Sequence, residues 1–478
     1  MKKSKSVFHN FIMNIILTTS SFIFPLITFP YVSRILSPDG MGKVSFATSV
    51  VSYFLIIAQL GIPTYGIRAC AKVRDNREAL YKTVKEIFCI SMIMCVSAYV
   101  LLGTTIVLVQ KFQEEQKLLI VISSMILFTT LGVEWLYKAL EMYSYITWRS
   151  IAFKLIALVA MFLFVHEKND YVIYGAISIL ASSASGMMNF LNIRKFVDLK
   201  VHYSLNFRKH MKAILVFFAM SCATTVYLNL DTVMLGFMKT DADVGYYNAA
   251  VKIKNMLVSI VTSLGAVLLP RVTYYLENGE RDKFKNLSTK AIQFVYFLSI
   301  PLLVFFVIFA KQSVLFLAGE SYHNAILPLK CMMPTLLFIG LTNIMGIQIL
   351  VPLGREDKVL FSVVAGAVVD LILNTLLIPR YAATGAAIGT MVAEAVVFII
   401  QYASDRRLFG EIFHLIRPWK IVIATMIGVL CSVWIIEMSF SNLICLILAS
   451  ICFGGGYVMG LLMIKEPFLK DIIQKIKR

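Results

Sequence analysis

From Phe8 onward the chain is a succession of apolar stretches of roughly 18–26 residues, each long enough to cross a hydrocarbon core ~30 Å thick. Fourteen can be drawn: 8–32, 44–67, 87–109, 118–140, 146–165, 172–193, 213–238, 244–270, 291–310, 326–352, 359–377, 385–402, 418–436 and 442–463. Hydrocarbon offers no water to an open backbone, so such stretches have to be helices that satisfy their own hydrogen bonds. Composition agrees: 15% of the 478 residues are charged and 59% are hydrophobic, against about 25% and 45–50% in soluble domains. Each connection averages about eleven residues at this span length, which leaves no room for a soluble catalytic domain. The chain reads as an all-α polytopic membrane protein.

Lys2, Lys3 and Lys5 ahead of an apolar run look like the start of a secretory leader. The run is too long for one, carries Pro25 and Pro30, and lacks a small-residue cleavage site, so it reads as a retained first helix. With the N-terminus inside, the inner segments plus the edge residues Arg149 and Lys420 hold 32 of the 45 Lys and Arg, and the outer loops hold 8. The positive-inside rule then puts both termini in the cytoplasm. The runs 68–85, 194–212 and 465–478 face anionic headgroups, at about 1 kcal/mol per basic residue. The net charge of +18 is thus an orientation signal; a nucleic-acid partner calls for a concentrated basic domain. None of the eight cysteines falls in an outer loop. No disulfide framework follows, and they read as small packing residues.

A repeat organises the spans. At an offset of 203, Gly42 meets Gly245 and Arg68 meets Arg271. The glycine opens an even-numbered helix near the outer face and the arginine closes it at the inner face. The hairpins 8–67 and 213–270 therefore read as copies with the same orientation, related by an axis along the membrane normal. The domains expected are a first lobe of six helices over 1–212, a second over 213–417, and a final helix pair with a basic tail over 418–478. A cleft between lobes is the natural place for cargo.

Five strings carry a family resemblance: PLITFPYVSRILSPDGMG at 25–42, EWLYKALEMYSYITWRSI at 134–151, LDTVMLGFMKTDADVGYYN at 230–248, QILVPLGREDK at 348–358 and LLIPRYAATGAAIGT at 376–390. Over about the first 400 residues the chain resembles the bacterial polysaccharide flippases (Wzx type) of the multidrug/oligosaccharidyl-lipid/polysaccharide exporter superfamily. That resemblance implies a MATE-like inverted V of two bundles, alternating between inward- and outward-open states in the bacterial plasma membrane. The implied cargo is a polyprenyl-diphosphate-linked glycan, an undecaprenyl-diphosphate oligosaccharide moved from inner to outer leaflet for surface polysaccharide. Membrane lipids, polysaccharide polymerase and chain-length machinery are the partners it would bring. The last helix pair resembles the one that forms a lipid-tail groove in lipid II flippases. A lipid II or teichoic-acid precursor flippase and a small-molecule or cation antiporter of the same superfamily stay open as alternatives. The antiporter is disfavoured because 8–32 contains no Asp or Glu. An enzyme is not expected, since the longest outer connection, 311–325, offers only Lys311, Glu320 and His323. GMGKVS at 40–45 is no phosphate loop: the glycine spacing is wrong and Val44 stands where Ser or Thr is needed. No cofactor and no metal are expected, and a monomer is the default because one chain completes the cleft.

A charge near the bilayer centre costs at least ~2.5–3.5 kcal/mol, so each one requires a reason. Nine fall inside spans: Glu134, Lys138, Lys154, Asp231, Lys252, Lys254, Lys330, Asp370 and Glu394. Lys252 and Lys254 lie too deep to snorkel easily and suit a diphosphate headgroup in an aqueous cavity. Asp231 is their obvious counter-charge, and an interhelical Asp231–Lys252 pair is the competing reading. Glu134 and Lys138, four apart, share a helix face and read as an ion pair. Arg34 is a headgroup candidate or an interface anchor, and Arg149 a headgroup candidate. Arg68 and Arg271 could receive the diphosphate at the inner mouth or simply obey the positive-inside rule. Asp370, with Asn374 one turn on, and Glu394 could hold a proton or sodium ion or pair between helices. Pro25, Pro30, Pro334 and Pro352 are expected to interrupt spans. Gly385 and Gly389, like Gly456 and Gly460, permit close helix packing.

Overall fold

The computed structural model describes residues 7–193, 205–263 and 265–466; Lys2, Lys3, Lys5, the run 194–204 and the tail 467–478 lie outside them. Among the described residues there are helices and turns and no strand. In chain order the principal helices begin with α1 (Val7–Gln59), α2 (Ile62–Val73), α3 (Arg77–Leu108), α4 (Gln116–Gly132), α5 (Glu134–Ala139) and α6 (Tyr143–Phe164). Then come α7 (Tyr171–Ile179), α8 (Gly186–Asn192), α9 (Arg208–Met238), α10 (Asp241–Thr262), α11 (Gly265–Glu277) and α12 (Arg281–Ile308). The last six are α13 (Ile326–Met332), α14 (Thr335–Thr342), α15 (Glu356–Ser404), α16 (Arg406–His414), α17 (Pro418–Ser432) and α18 (Asn442–Met463).

By length and composition nine helices among the described residues can cross a bilayer, or eleven if two bent pairs count as one span each. Two of the nine are far too long for one crossing. The 53 residues of α1 would run about 80 Å at 1.5 Å per residue, and they break at Ser37, whose φ is 58°. Likewise α15 breaks at Ala382, φ 45°. The two arms of α15 carry two of the spans read from sequence, while the expected span 44–67 runs from α1 into α2 and 244–270 runs as α10 and α11. The bent pairs coincide with the expected spans 172–193 and 326–352, turning by 42° and 48°.

Two compact units divide the chain, Met1–Gly245 and Tyr246–Arg478. Their boundary falls one helix later than residue 212, because α9 packs on α1 and α2. In the first unit a buried cluster of Leu60, Ile62, Ile87, Trp135, Leu136, Ile146 and Ile214 gathers the ends of α2, α3, α5, α6 and α9. Beside it Glu86 is fully buried, accepting from Lys209 Nζ (2.6 Å) and the Asn206 amide (2.9 Å) and bonding His210 Nε2 (2.8 Å). His210 in turn meets the Tyr65 hydroxyl at 2.5 Å, which ties α2, α3 and α9 together.

In the second unit Val261, Phe284, Val295, Leu341, Ile349, Phe409 and Ile412 form the equivalent core. The final pair, α17 and α18, belongs to this unit: Tyr457 donates to the Phe297 carbonyl of α12 at 2.8 Å, and Phe453 stacks edge-on against Phe305. Outside these cores many large apolar side chains are exposed, among them Val100, Leu108, Leu191, Leu228, Leu430 and Met463. A water-soluble surface does not carry so many; a lipid-facing one does.

The 203-residue offset governs element boundaries as well as single residues. The second arm of α1, 38–59, maps onto α10 at 241–262, and α2 at 62–73 maps onto 265–276 of α11. Gly42 and Gly245, both in the first unit, meet. A Cβ on Gly42 would overlap the Asp241 carbonyl, and one on Gly245 would overlap the Pro38 carbonyl. Pro38 and Asp241 are themselves 203 apart, so the contact is reciprocal, each glycine lying on the backbone four residues before the other.

Pro25 and Pro30 do not interrupt the first span as expected; α1 is helical through both, and its break comes at Ser37 just before Pro38. Pro334 does mark a bend, between α13 and α14, and Pro352 sits in the turn that follows the π-helical segment Asn343–Leu350. We expect Gly42→Ala and Gly245→Ala each to destabilise the protein by about 1–3 kcal/mol, the usual cost of overpacking. Gly103→Ala, where a Cβ meets nothing within 4 Å, should be neutral or stabilising. Melting curves of the purified protein in detergent check all three; a Gly245→Ala chain as stable as the parent would mean the seam is loose.

Candidate functional site

Two helices expected to be continuous are broken side by side in the first unit. Between α1 and α2, Leu60 and Gly61 adopt left-handed backbone (φ 46° and 72°); between α4 and α5, Val133 does so (φ 37°). For a β-branched residue this conformation is a genuine outlier, costing about 1–3 kcal/mol, and such strain clusters at working sites. The sequence carries part of the signal: Gly61 followed by Pro63 is a stop-and-restart pattern. Nothing comparable announces Val133.

The restarted segments α2 and α5 pack together, with Gly66 against the Trp135 ring. Beside them opens a cavity of about 340 Å³ lined by Gln59, Pro63, Thr64, Ile67, Thr129, Glu134, Trp135 and Lys138. Glu134, the first residue of α5, bonds Lys138 at 2.8 Å, so the pair read from the four-residue spacing forms. The same carboxylate also reaches Arg149 at 3.7 Å, which only tertiary structure reveals. Arg149 is held inward: its side chain is 3% exposed and its guanidinium lies over the Tyr145 ring at 5.6 Å. Its Nε and Nη1 are buried without a hydrogen-bond partner among the described residues. The arrangement is a carboxylate between two cations at a helix break, with polar side chains lining the space beside it.

The second unit holds a separate polar cluster where the two arms of α15 meet. Asp370, Asn374, Thr390 and Glu394 are all buried. The close approach depends on Gly389, where a Cβ would lie 2.5 Å from Asn374 Oδ1 and 3.0 Å from Asp370 Oδ1. Thr390 donates to the Ala386 carbonyl and its oxygen lies 3.1 Å from the Tyr247 hydroxyl of α10. Asp370 and Asn374 share a face as their spacing indicated, while the Tyr247 contact was not legible across 143 residues. Two carboxylates, an amide and two hydroxyls in one buried cluster can hold a proton or a small cation. No group of three or more His, Cys, Asp or Glu residues arranged to hold a metal ion occurs among the described residues.

The remaining expected residues lie on α1, α2, α9, α10 and α11. Arg34 is exposed near the end of the first arm of α1 and donates to the Pro30 carbonyl. Arg68 on α2 and Arg271 on α11 are exposed at equivalent repeat positions, in different units. On α10, Lys254 is 8% exposed and Lys252 half-buried; two residues apart on a helix, they do not share a face. Asp231 is buried on α9. Lys154, one of the nine charges inside spans, donates to Ser20 and Ser21 of α1.

Broken helices, a charged cluster beside one pair of breaks and buried carboxylates in the second unit, inside a shell of exposed apolar side chains, define the class: a polytopic helical membrane transporter. The family model described as "Polysaccharide biosynthesis protein" matches residues 7–276, more than half of the chain, and the chain belongs to that family. A second model, MatE, matches 217–376. The "Putative O-antigen transporter" of Escherichia coli (strain K12) is 23% identical over 394 residues, covering 82% of this chain and 95% of that protein. Among solved structures, the lipid II flippase MurJ in its inward closed conformation aligns with a TM-score of 0.77 at 13% identity, covering 97% of this chain and all of that one. An inward-facing multidrug resistance MATE family transporter aligns at 0.62 with 14% identity, over 81% and 96%. At such identities the likeness establishes the fold, and the MATE-like architecture expected from the sequence is the one found.

Glu134→Gln should leave the buried Arg149 without its counter-charge and cost about 1–3 kcal/mol. The double variant with Arg149→Met should recover part of that loss, because it no longer leaves a buried cation without its counter-charge. Melting temperatures around this double-mutant cycle measure it, and strictly additive losses would show that the two residues do not interact.

Proposed function

We propose that the chain is a flippase that carries a polyprenyl-diphosphate-linked oligosaccharide from the inner to the outer leaflet of a bacterial plasma membrane. Both termini lie in the cytoplasm, and a monomer suffices. The observation that carries this reading is membership of the polysaccharide biosynthesis family over 7–276. The likeness to an O-antigen transporter along nearly its whole length and a fold in common with a lipid II flippase support it further. No bond is made or broken. The task is to replace the hydration of an anionic, sugar-bearing headgroup while the polyprenyl tail stays in lipid, which needs positioned cations and hydrogen-bond donors rather than a catalyst.

In this reading the units alternate in access. Arg68 and Arg271 draw the diphosphate to the basic inner mouth, and Lys252 and Lys254, with Arg34, neutralise it inside. The Glu134–Lys138–Arg149 cluster keeps the paired helix breaks in register beside a polar cavity. The Asp370–Asn374–Glu394 cluster, with Asp231 as a further acid, couples turnover to a proton or sodium gradient. An exporter of small cations is the competing reading, and the same acids would serve it.

The test reconstitutes the full chain in liposomes carrying a polyprenyl-diphosphate oligosaccharide in one leaflet, and follows leaflet exchange by access of a sugar-cleaving enzyme. Protein-dependent exchange without transport of a cationic dye is the expected result. Dye transport driven by an ion gradient, with no lipid exchange, overturns the reading in favour of an antiporter. Lys252→Ala with Lys254→Ala should lower exchange at least about tenfold, the loss of one or two charge-assisted contacts. Asp370→Asn should abolish the response to an imposed sodium or proton gradient.

A further inference from the structure

The intramembrane charges of the first unit do not all find opposite charges. Glu134 is balanced by Lys138 and Arg149. Lys154, on α6, has only neutral partners. Its Nζ donates to Ser20 Oγ at 2.9 Å and to Ser21 Oγ at 2.8 Å, both on α1, and no carboxylate pairs with it among the described residues. Both serine hydroxyls spend their protons on the Leu17 carbonyl, at 2.7 and 3.0 Å. Their oxygens are thus left as pure acceptors facing the ammonium. A lysine has three N–H donors; two are used, and the third has no partner among the described residues. Ser21 is exposed, and Lys154 and Ser20 half-buried, so the group is reachable from outside the unit.

Its depth makes this costly. Lys154 lies eleven residues into α6, near the middle of that 22-residue helix, about 16 Å along the axis. A lysine at such depth carries at least ~2.5 kcal/mol of insertion cost, and two hydroxyls give hydrogen bonds but no counter-charge. Rungs at a constant offset hold it in place. His9 meets Ser144 (2.8 Å), Thr147 donates to the Met13 carbonyl (2.9 Å), and Tyr31 donates to the Val165 carbonyl (2.9 Å), all 134 or 135 residues apart. The result is a cation fixed in position, with a donor to spare and a serine pair to orient it.

We propose that Lys154, oriented by Ser20 and Ser21, is a mid-depth binding point for a diphosphate ester. This deepens the flippase reading and rests on it for the identity of the cargo, but it stands on its own geometry. The anion could also come from a phospholipid, whose phosphate is a diester with a single charge; the spare donor and full positive charge favour the more highly charged group.

Binding to the purified full chain in detergent tests the idea without transport. The probes are geranyl diphosphate, inorganic pyrophosphate and short-chain phosphatidylglycerol. Geranyl diphosphate should bind the parent chain, and Lys154→Met should weaken it about tenfold or more, the worth of one charge-assisted contact. Lys154→Arg should retain most of the affinity, and Ser20→Ala with Ser21→Ala should lose a few-fold. Without ligand, Lys154→Met should melt at or above the parent temperature, since it removes an uncompensated charge. A lower melting temperature with unchanged diphosphate affinity would make Lys154 a structural tie and overturn the proposal. So would equal binding of phosphatidylglycerol, or no diphosphate binding by the parent. If leaflet exchange persists in Lys154→Met while diphosphate affinity is unchanged, this subsite fails and the flippase reading survives. If the parent binds diphosphate through Lys154 but exchanges no lipid-linked sugar, the flippase reading fails and the subsite survives.

Discussion

Hydrocarbon offers a polypeptide nothing to hydrogen-bond, and that denial shapes this protein more than any single contact. A helix may cross it cheaply, but wherever a helix stops, the freed amides and carbonyls must find partners in protein or in a polar cavity. The breaks at Leu60–Gly61 and Val133 are therefore the informative places. They lie side by side, they are followed by segments that pack on each other, and they border a polar cavity holding a carboxylate and a lysine. Interrupted backbone and charged side chains share one small volume because neither can be placed elsewhere in the bilayer at tolerable cost.

The same economy explains how charge is distributed. Glu134 serves two cations, Glu86 accepts from a lysine and an amide and bonds a histidine, and the buried acids of α15 are packed with an amide and hydroxyls. Lys154 departs from this pattern, since its partners supply hydrogen bonds and no charge. Departures from local neutrality are where a membrane protein can bind something charged from outside itself.

Much of the architecture could be read from the chain alone, because span length and hydropathy are set by the solvent rather than by the fold. The Glu134–Lys138 pair and the shared face of Asp370 and Asn374 followed from a four-residue spacing. The 203-residue repeat was visible in two residues and proved to extend to the ends of whole helices. What escaped was whatever joins distant segments: Arg149 turning to Glu134, Tyr247 reaching Thr390, and Ser20 and Ser21 meeting Lys154. Pro25 and Pro30 misled in the other direction. A proline is a strong local breaker in water, yet α1 passes through both, since a membrane helix can have the freed carbonyls met by its neighbours.

The rungs between α1 and α6 carry a mechanical consequence. They run from His9 to Tyr31 on one side and from Ser144 to Val165 on the other, and Pro25 and Pro30 fall between the third rung and the last. The partner helix has no interruption from Tyr143 to Phe164. Two beams bolted along their length flex as one plank, and a notch in one of them does little while its neighbour is whole. The first helix cannot swing about its prolines unless it sheds Tyr31 from Val165 or drags the whole of α6 along. The compliance of this unit is therefore to be sought beyond the last bolt, at Ser37, where α1 itself leaves helical geometry.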